Sequence, residues 1–248
     1  MLALALAVVL AAPLPDLDQA PPQAVSVVAG HGRLLLVFGS AVDNVGRGPL
    51  VVVGRRSGHA MRTWQLVGAR RYPLRARLRY VRSETHEHWH FPGFERYELR
   101  RPDGTLVGRD RKTGFCLRDA YETRALNRPP VWTSECLRGR PDAAAIREGI
   151  SPGFGDDYVP VKEGQSIDVT RVPPGRYVLV HRANPERVLR ERSYANNAAS
   201  ALIALDGRSV VVLRRCPDSA RCAPGKPAVP GAVRTAGASQ RGEGASGT

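Results

Sequence analysis

Residues 76–82 read Ala-Arg-Leu-Arg-Tyr-Val-Arg, and this alternation of apolar and charged side chains decides the fold class. Successive side chains of an extended strand point to opposite faces, so the stretch predicts a half-buried β-strand. Gly- and Pro-containing turns separate further strands, which we place at residues 33–42, 50–54, 64–67, 94–100, 165–169, 176–182, 199–205 and 209–214. Short strands at such intervals predict an all-β sandwich with long loops. A helix is expected only as a short piece near residues 143–148.

Three of the six histidines follow that strand directly, at His86, His88 and His90. Side chains at alternate positions of a strand share one face, about 6.6–7 Å apart. Three imidazoles on one face offer nitrogen ligands and leave coordination positions open, as Cu(II) and Zn(II) prefer. The spacing therefore predicts a metal site. The alternative is a surface strand whose histidines bind nothing.

The two ends of the chain differ in composition from its middle. Residues 1–13 are almost wholly apolar, too short for a membrane span, and followed by Pro-rich sequence. We interpret residues 1–22 as a signal peptide or export segment, the alternative being a first strand of the domain. Residues 23–215 are expected to form one β-sandwich domain. Residues 216–248 are expected to form a Cys-containing turn and a disordered tail.

The four cysteines are Cys116, Cys136, Cys216 and Cys222. An even count in an exported chain indicates disulfide bonds. Three connectivities are open, of which the most local joins Cys116 to Cys136 and Cys216 to Cys222. A four-thiolate metal site is disfavoured because the chain has no Cys-x-x-Cys spacing.

The net charge is +14, yet only three of the 37 basic residues are lysines. Arginine in place of lysine, with abundant Ala and Gly, indicates a GC-rich coding sequence and hence a bacterial source. The basic charge is therefore weak evidence for nucleic acid, and no specific nucleic-acid partner is expected. A basic surface is compatible with association with an anionic cell wall.

Two more segments complete a pattern that begins at the histidines: residues 110–117 (DRKTGFCL) and 149–158 (GISPGFGDDY). A later stretch, 174–197, contains PGRYVL, then NP, then NN, in the manner of extracellular immunoglobulin-like modules. In order and spacing these four motifs resemble the catalytic domain of the lysyl oxidases over residues 45–205. The fold expected for this domain is an immunoglobulin-like β-sandwich whose long loops carry the site.

The resemblance implies that His86, His88 and His90 bind copper. It also implies that Lys112 and Tyr158 form a lysine tyrosylquinone cofactor. A phenol near Cu(II) loses its proton more easily, and only a neutral amine adds to an oxidised ring. Arginine stays protonated and is unsuited to that step, so a lysine among so few fits the assignment.

The resemblance also implies a reaction. A primary amine, either peptidyl-lysine or a small amine, is oxidised to an aldehyde while O2 is consumed and ammonia and hydrogen peroxide are released. Asp156 or Asp157, next to Tyr158, is a candidate for the base that removes the substrate's α-proton. A turn-capping role is the alternative for these two aspartates.

We therefore expect a secreted or cell-envelope-associated, monomeric copper amine oxidase of the protein-lysine 6-oxidase type. The rival interpretations are a non-catalytic extracellular β-sandwich that binds metal or cell-wall material, and a zinc hydrolase. Two positions depart from the animal pattern: Ser83 and Arg96 stand where animal members carry histidines. If the second histidine is needed for proton transfer, Arg96 weakens the expectation of turnover.

Several glutamates lie near the histidines in the sequence: Glu84, Glu87, Glu95 and Glu98. They are expected either to form a negatively charged entrance to the site that attracts an ammonium group or to make ion pairs with neighbouring arginines.

Overall fold

The computed structural model of the chain describes residues 12–82, 87–110, 114–160 and 164–223. Within these ranges the regular structure consists of β-strands, so the predicted all-β class is confirmed. The strands, in chain order, are β1 (Leu17–Gln19), β2 (Gln23–Gly30), β3 (Arg33–Asn44), β4 (Leu50–Ser57), β5 (Ala60–Val67), β6 (Arg70–Arg82), β7 (Glu87–His90), β8 (Glu95–Arg100), β9 (Leu106–Arg109), β10 (Tyr121–Glu122), β11 (Ala145–Ile150), β12 (Phe154–Tyr158), β13 (Ser166–Asp168), β14 (Gly175–Ala183), β15 (Ala198–Asp206) and β16 (Ser209–Cys216). Over these same ranges, no helix has the length and apolar character needed to span a membrane.

The strands form three antiparallel sheets. The first sheet has the order β1-β3-β12-β10, with β2 and β13 also paired to β3. The second sheet has the order β11-β4-β5-β6-β7, and the third has the order β16-β15-β14-β8-β9. With three sheets present, the immunoglobulin-like arrangement stays a prediction.

One hydrophobic core joins the three sheets. Phe38 of the first sheet, Met61 and Leu78 of the second, and Leu99 and Ile203 of the third belong to one buried cluster. Strand β6 shows how the sequence builds it: Leu78 is fully buried while its neighbours in the strand, arginines, are exposed. The alternation seen in the sequence is thus the alternation between core and solvent.

The segment with the NP and NN motifs is a structural clasp. Asn184 and Asn197 each donate a side-chain hydrogen bond to Glu191, and Asn184 also donates to the carbonyl of Leu189 at 2.9 Å. Glu191 in turn accepts the backbone N–H of Leu17 at 2.8 Å. The clasp therefore fixes β1 to the turn between β14 and β15.

Both local disulfide pairs predicted from the sequence are confirmed, Cys116–Cys136 and Cys216–Cys222. The short helix expected near residues 143–148 is wrong. Strand β11 occupies that place because Ile146, Glu148 and Ile150 alternate inward and pair along β4. Strand β1 lies inside residues 1–22, so part of the stretch interpreted as an export segment belongs to the first sheet. The domain boundaries themselves stay predictions.

Candidate metal and cofactor site

The described histidines of the motif lie on the edge strand of the second sheet. Strand β7 pairs antiparallel with β6, so that His90 lies opposite Arg79 and His88 opposite Val81. Both imidazoles leave the same face of the strand, and their Nε2 atoms are 2.8 Å apart. Trp89, between them, points to the other face and is fully buried. The strand predicted from the His-x-His spacing is therefore present at these two positions, and His86 lies outside the described residues.

The two imidazoles fit a shared metal ion. Nitrogen ligands bind copper or zinc at about 2.0–2.1 Å, so two ligands at right angles lie about 2.9 Å apart. The observed Nε2 separation of 2.8 Å matches that arrangement. Among the described residues no third His, Cys, Asp or Glu joins them to complete a ligand set. His86 is the third ligand that the sequence predicts.

Tyr158 ends strand β12, the neighbour of β3 in the first sheet. Its hydroxyl lies 2.9 Å from Asp156 Oδ2 and 2.9 Å from the carbonyl oxygen of Cys116. A phenol has one proton to donate, so these two acceptors share it. The ring packs edge-on against Phe115 with the centroids 5.1 Å apart. The phenol is thus held in one orientation by three contacts.

Residues 114–117 connect the tyrosine to the histidine strand. Phe115 forms a backbone bridge with Phe91, the residue after His90, through hydrogen bonds of 2.8 and 3.1 Å. The Cys116–Cys136 disulfide adds a second link, because the N–H of Trp89 donates to the carbonyl of Cys136 at 3.0 Å. The structure therefore joins β7 to the Tyr158 ring through one short segment.

Lys112 lies outside the described residues, but both ends of its segment are placed. Asp110 accepts the backbone N–H of Tyr97 at 3.0 Å. Gly114 lies so close to β7 that an added Cβ would be 2.7 Å from the Cβ of His90. The described ends of the segment therefore lie at β8 and at the histidine strand, and Gly114 is required by its close approach to His90.

Buried carboxyl groups surround the phenol of Tyr158. Burial raises the pKa of Asp156 well above its usual range, against the hydrogen bond from Tyr158 and the charge of Arg118. Burial and then the charge of Asp156 raise the pKa of Glu148 and that of Tyr158. Raised pKa values of this kind favour the protonated form of each group. The surroundings therefore favour the neutral phenol when no metal is bound.

The two candidate bases differ in environment. Asp156 is 2 % exposed and contacts the phenol, whereas Asp157 is half-buried. Both lie within β12, so neither caps a turn. The assignment of a catalytic base stays a prediction, and Asp156 is the residue of the two that touches the tyrosine.

The sequence did not identify Glu148 as a residue near the site, and it did not predict that Glu95 is buried. Glu148 Oε2 lies 3.0 Å from Cys136 Sγ, beside the disulfide. Glu95 is buried, where it accepts hydrogen bonds from the hydroxyls of Tyr97, at 2.8 Å, and Ser40. The signal for Glu148 was its place between Ile146 and Ile150, which predicts an inward side chain once the segment is recognised as a strand.

The glutamates near the histidines do not share one role. Glu98 is buried and makes ion pairs with Arg100, Arg109 and Arg182 at 2.9, 3.4 and 3.6 Å. Burial acts to raise the pKa of Glu98. The hydrogen bond from Arg100 and the positive charges of the three arginines outweigh burial and hold this pKa below its usual value. Ion pairing is therefore the outcome for Glu98, and Glu95 faces the core. Arg96, at one position that departs from the animal pattern, pairs with Glu186.

These features define an all-β protein that presents paired histidines on a sheet edge and, joined to that edge through Phe115, a half-buried tyrosine held by two hydrogen-bond acceptors. The family model described as Lysyl oxidase matches residues 55–216. The chain belongs to the lysyl oxidase family.

Individual relatives agree with that family. The chain is 30% identical to lysyl oxidase homolog 3 of Homo sapiens over 185 residues, which are 74% of this chain and 20% of the relative. It is 30% identical to lysyl oxidase homolog 2 of Gallus gallus over 186 residues, 75% of this chain and 20% of the relative. It is 31% identical to lysyl oxidase homolog 1 of Homo sapiens over 143 residues, 56% of this chain and 22% of the relative. The chain thus spans about a fifth of the length of these relatives.

Proposed function

We propose that the protein is a secreted, monomeric copper amine oxidase that converts primary amines to aldehydes. The overall reaction takes one amine, one O2 and one water and gives one aldehyde, one ammonia and one hydrogen peroxide. Peptidyl-lysine and small amines are the candidate substrates. The observation that carries the proposal is the convergence of His88 and His90 Nε2 atoms on a strand joined through Phe115 to the Tyr158 ring.

The residues of this chain would divide the work as follows. His88 and His90, with His86, would hold the copper ion, and Lys112 and Tyr158 would supply the quinone precursor. Copper and the quinone, when present, supply the redox chemistry that accepts two electrons from the amine. Both disulfides fit an oxidising, extracellular compartment.

Asp156 is the residue best placed to move protons at this site. It already accepts a hydrogen bond from the Tyr158 hydroxyl, and burial raises its pKa, which makes its carboxylate a stronger base. Before cofactor formation it would take the phenolic proton. During turnover the same carboxylate would take the α-proton of the substrate. Phe115, packed on the phenol ring, keeps the ring oriented and limits water.

The test is amine-dependent peroxide release by the full chain expressed with copper, measured over a panel of amines. The wild type should release peroxide, stain for a quinone, and yield a peptide in which Lys112 and Tyr158 are covalently joined. Lys112→Arg and Tyr158→Phe should abolish all three signals. Tyr194→Phe, which removes a hydroxyl remote from these residues in the chain, should leave them unchanged. Unmodified Lys112 and Tyr158 peptides and no peroxide would instead identify a non-catalytic module.

A further inference from the structure

One face of the second sheet is covered by arginines. We call it the arginine face and define it by five exposed residues: Arg55, Arg62, Arg75, Arg77 and Arg79. Arg55 lies opposite Arg62, and a bulge in β6 sets Arg75 and Arg77 on either side of Arg62. Alternate residues of the same strands, such as Met61 and Leu78, face the core. The arginines therefore form a patch that crosses three strands.

Within the described ranges, no carboxylate forms an ion pair with the arginines of this face. Residues 45–82 contain ten arginines and no Asp or Glu. The ion pairs among the described residues involve arginines elsewhere, for example Arg33, Arg96 and Arg192, and none of the five. A cluster of like charges without counter-ions creates a strong local potential that attracts anions. The face is thus available to an anionic partner.

A shallow groove runs through the patch. It has a volume of about 280 Å³, and its lining includes Arg62, Arg75, Arg77, Trp64 and Pro73. Trp64 and Pro73 lie opposite each other on β5 and β6. The half-buried Trp64 beside guanidinium groups suits a polypeptide, because aliphatic stems pack on the indole while carboxylates bind the arginines. The groove therefore offers both kinds of contact.

The arginine face continues to the candidate metal site. Arg79 lies directly opposite His90, so both side chains leave the same face of the sheet. Arg75, Arg77 and Arg79 lie at alternate positions, about 7 Å apart along the strand. An extended chain bound along β6 would therefore pass beside the histidine strand, one strand spacing of about 4.8 Å away.

We propose that the arginine face binds an extended, acidic polypeptide and that this polypeptide is the substrate, presenting a lysine a few residues beyond its acidic run. The second part rests on the proposed amine oxidase function. A chain of +14 repels free cationic amines, whereas an amine carried by an anionic chain is attracted. Carboxylates at alternate positions of an extended peptide match the arginine spacing and the fork geometry of guanidinium groups. A polypeptide is favoured over a phosphate polymer because it carries both the carboxylates and the primary amine.

The binding test uses a fluorescent peptide with alternating Glu and Ser and one lysine, measured by anisotropy at low and physiological salt. The variant Arg62→Gln/Arg75→Gln/Arg77→Gln should weaken binding about tenfold or more. The control Arg171→Gln/Arg176→Gln/Arg208→Gln removes the same charge from exposed sites outside the face. It should change the affinity for the peptide by less than about twofold. Substituting the three face arginines with lysine keeps the charge and should still weaken binding, because the bidentate geometry is lost.

The activity test compares kcat/KM for the acidic lysyl peptide with kcat/KM for a small amine. The ratio should fall about tenfold in the face variant and stay constant in the control. Equal binding by both variants, or tighter binding of polyphosphate than of the acidic peptide, would overturn the proposal. If the wild type binds the peptide but oxidises no amine, the proposed function fails while the docking surface stands.

Discussion

Asp156 and Asp157 are neighbours in the sequence with opposite environments, and this contrast permits a matched test. Asp156→Asn keeps the shape of the side chain and an acceptor for the Tyr158 hydroxyl, but it removes the group that takes a proton. We expect the variant to fold and to lose amine-dependent peroxide release by about 10²–10⁴-fold, the usual contribution of a positioned base. Steady-state kinetics and quinone staining measure the effect on turnover and on cofactor formation separately.

Asp157→Asn is the control, because Asp157 is half-buried and makes no hydrogen bond with the Tyr158 hydroxyl. Its activity should stay within about threefold of wild type, as for residues that do not transfer the proton. Equal losses in both variants would contradict the role of Asp156, as would full activity of Asp156→Asn.

At the level of single residues, the sequence predicted which side chains share a strand face better than it predicted how deeply each side chain is buried. The alternation of His88 and His90 required one face of a strand, and the structure has that face. The inward position of Glu148 was missed because a helix was expected at this segment, and its strand conformation depends on pairing between β11 and β4, some ninety residues earlier in the chain. Burial and its effect on a pKa are tertiary properties, which one segment read alone does not contain.

The segment that begins at Gly114 supports strand β7, and its close approach yields a test at the level of elements. Gly114→Ala would place a Cβ 2.7 Å from the Cβ of His90 and 3.1 Å from the carbonyl oxygen of Phe91. The segment and the strand must then separate, at a cost of about 1–3 kcal/mol. We expect copper affinity to fall about 10–100-fold, as it does when groups that orient ligands are displaced. Copper titration and chemical unfolding give the two quantities.

Gly30→Ala is the matched control, because a Cβ at Gly30 meets nothing within 4 Å. It should leave copper affinity unchanged and alter stability by less than about 1 kcal/mol. Unaltered copper binding in Gly114→Ala would show that the contact with β7 is not needed to position the histidines.

Strand prediction succeeded where the pattern was local and failed where pairing decided the outcome. Alternating or β-branched stretches such as β4, β6 and β14 were recognised, though β6 is longer than expected. Strand β12 contains Gly155 and two aspartates, residues that are depleted in strands, and it forms because β3 and β10 flank it. Local propensity was therefore sufficient to predict the fold class. Strands such as β12 could not be predicted, because they form through pairing with distant segments of the chain.

At the scale of the whole molecule, His181 marks the junction of the first and third sheets. It lies on β14, fully buried, with its ring centroid 4.8 Å from that of Phe38 on β3 and 4.5 Å from that of Tyr97 on β8. Neither ring nitrogen has a hydrogen-bond partner among the described residues. An imidazole without partners in an apolar junction costs stability, because it leaves its hydrogen bonds with water.

This junction gives the fold a pH dependence. Burial lowers the pKa of His181 from 6.5 to about 3. Below the unfolded pKa the unfolded chain takes up a proton that the native protein does not, so stability is lost as pH falls from 6.5 toward 3, by about 1.4 kcal/mol per pH unit. His181→Leu removes this proton uptake. It should raise the free energy of unfolding by about 1–2 kcal/mol at pH 7, and the difference from the wild-type value should grow as the pH falls.

Urea unfolding of both proteins at several pH values from 7 to about 4 tests this directly, since carboxyl titrations common to the two proteins cancel in the difference. His59→Leu, at an exposed histidine, should run parallel to wild type. A constant difference between His181→Leu and wild type across that range would mean that His181 accepts its proton in the native state. The ring would then have a polar partner or water beside it, and the junction between the sheets would be less closely packed than its aromatic contacts indicate.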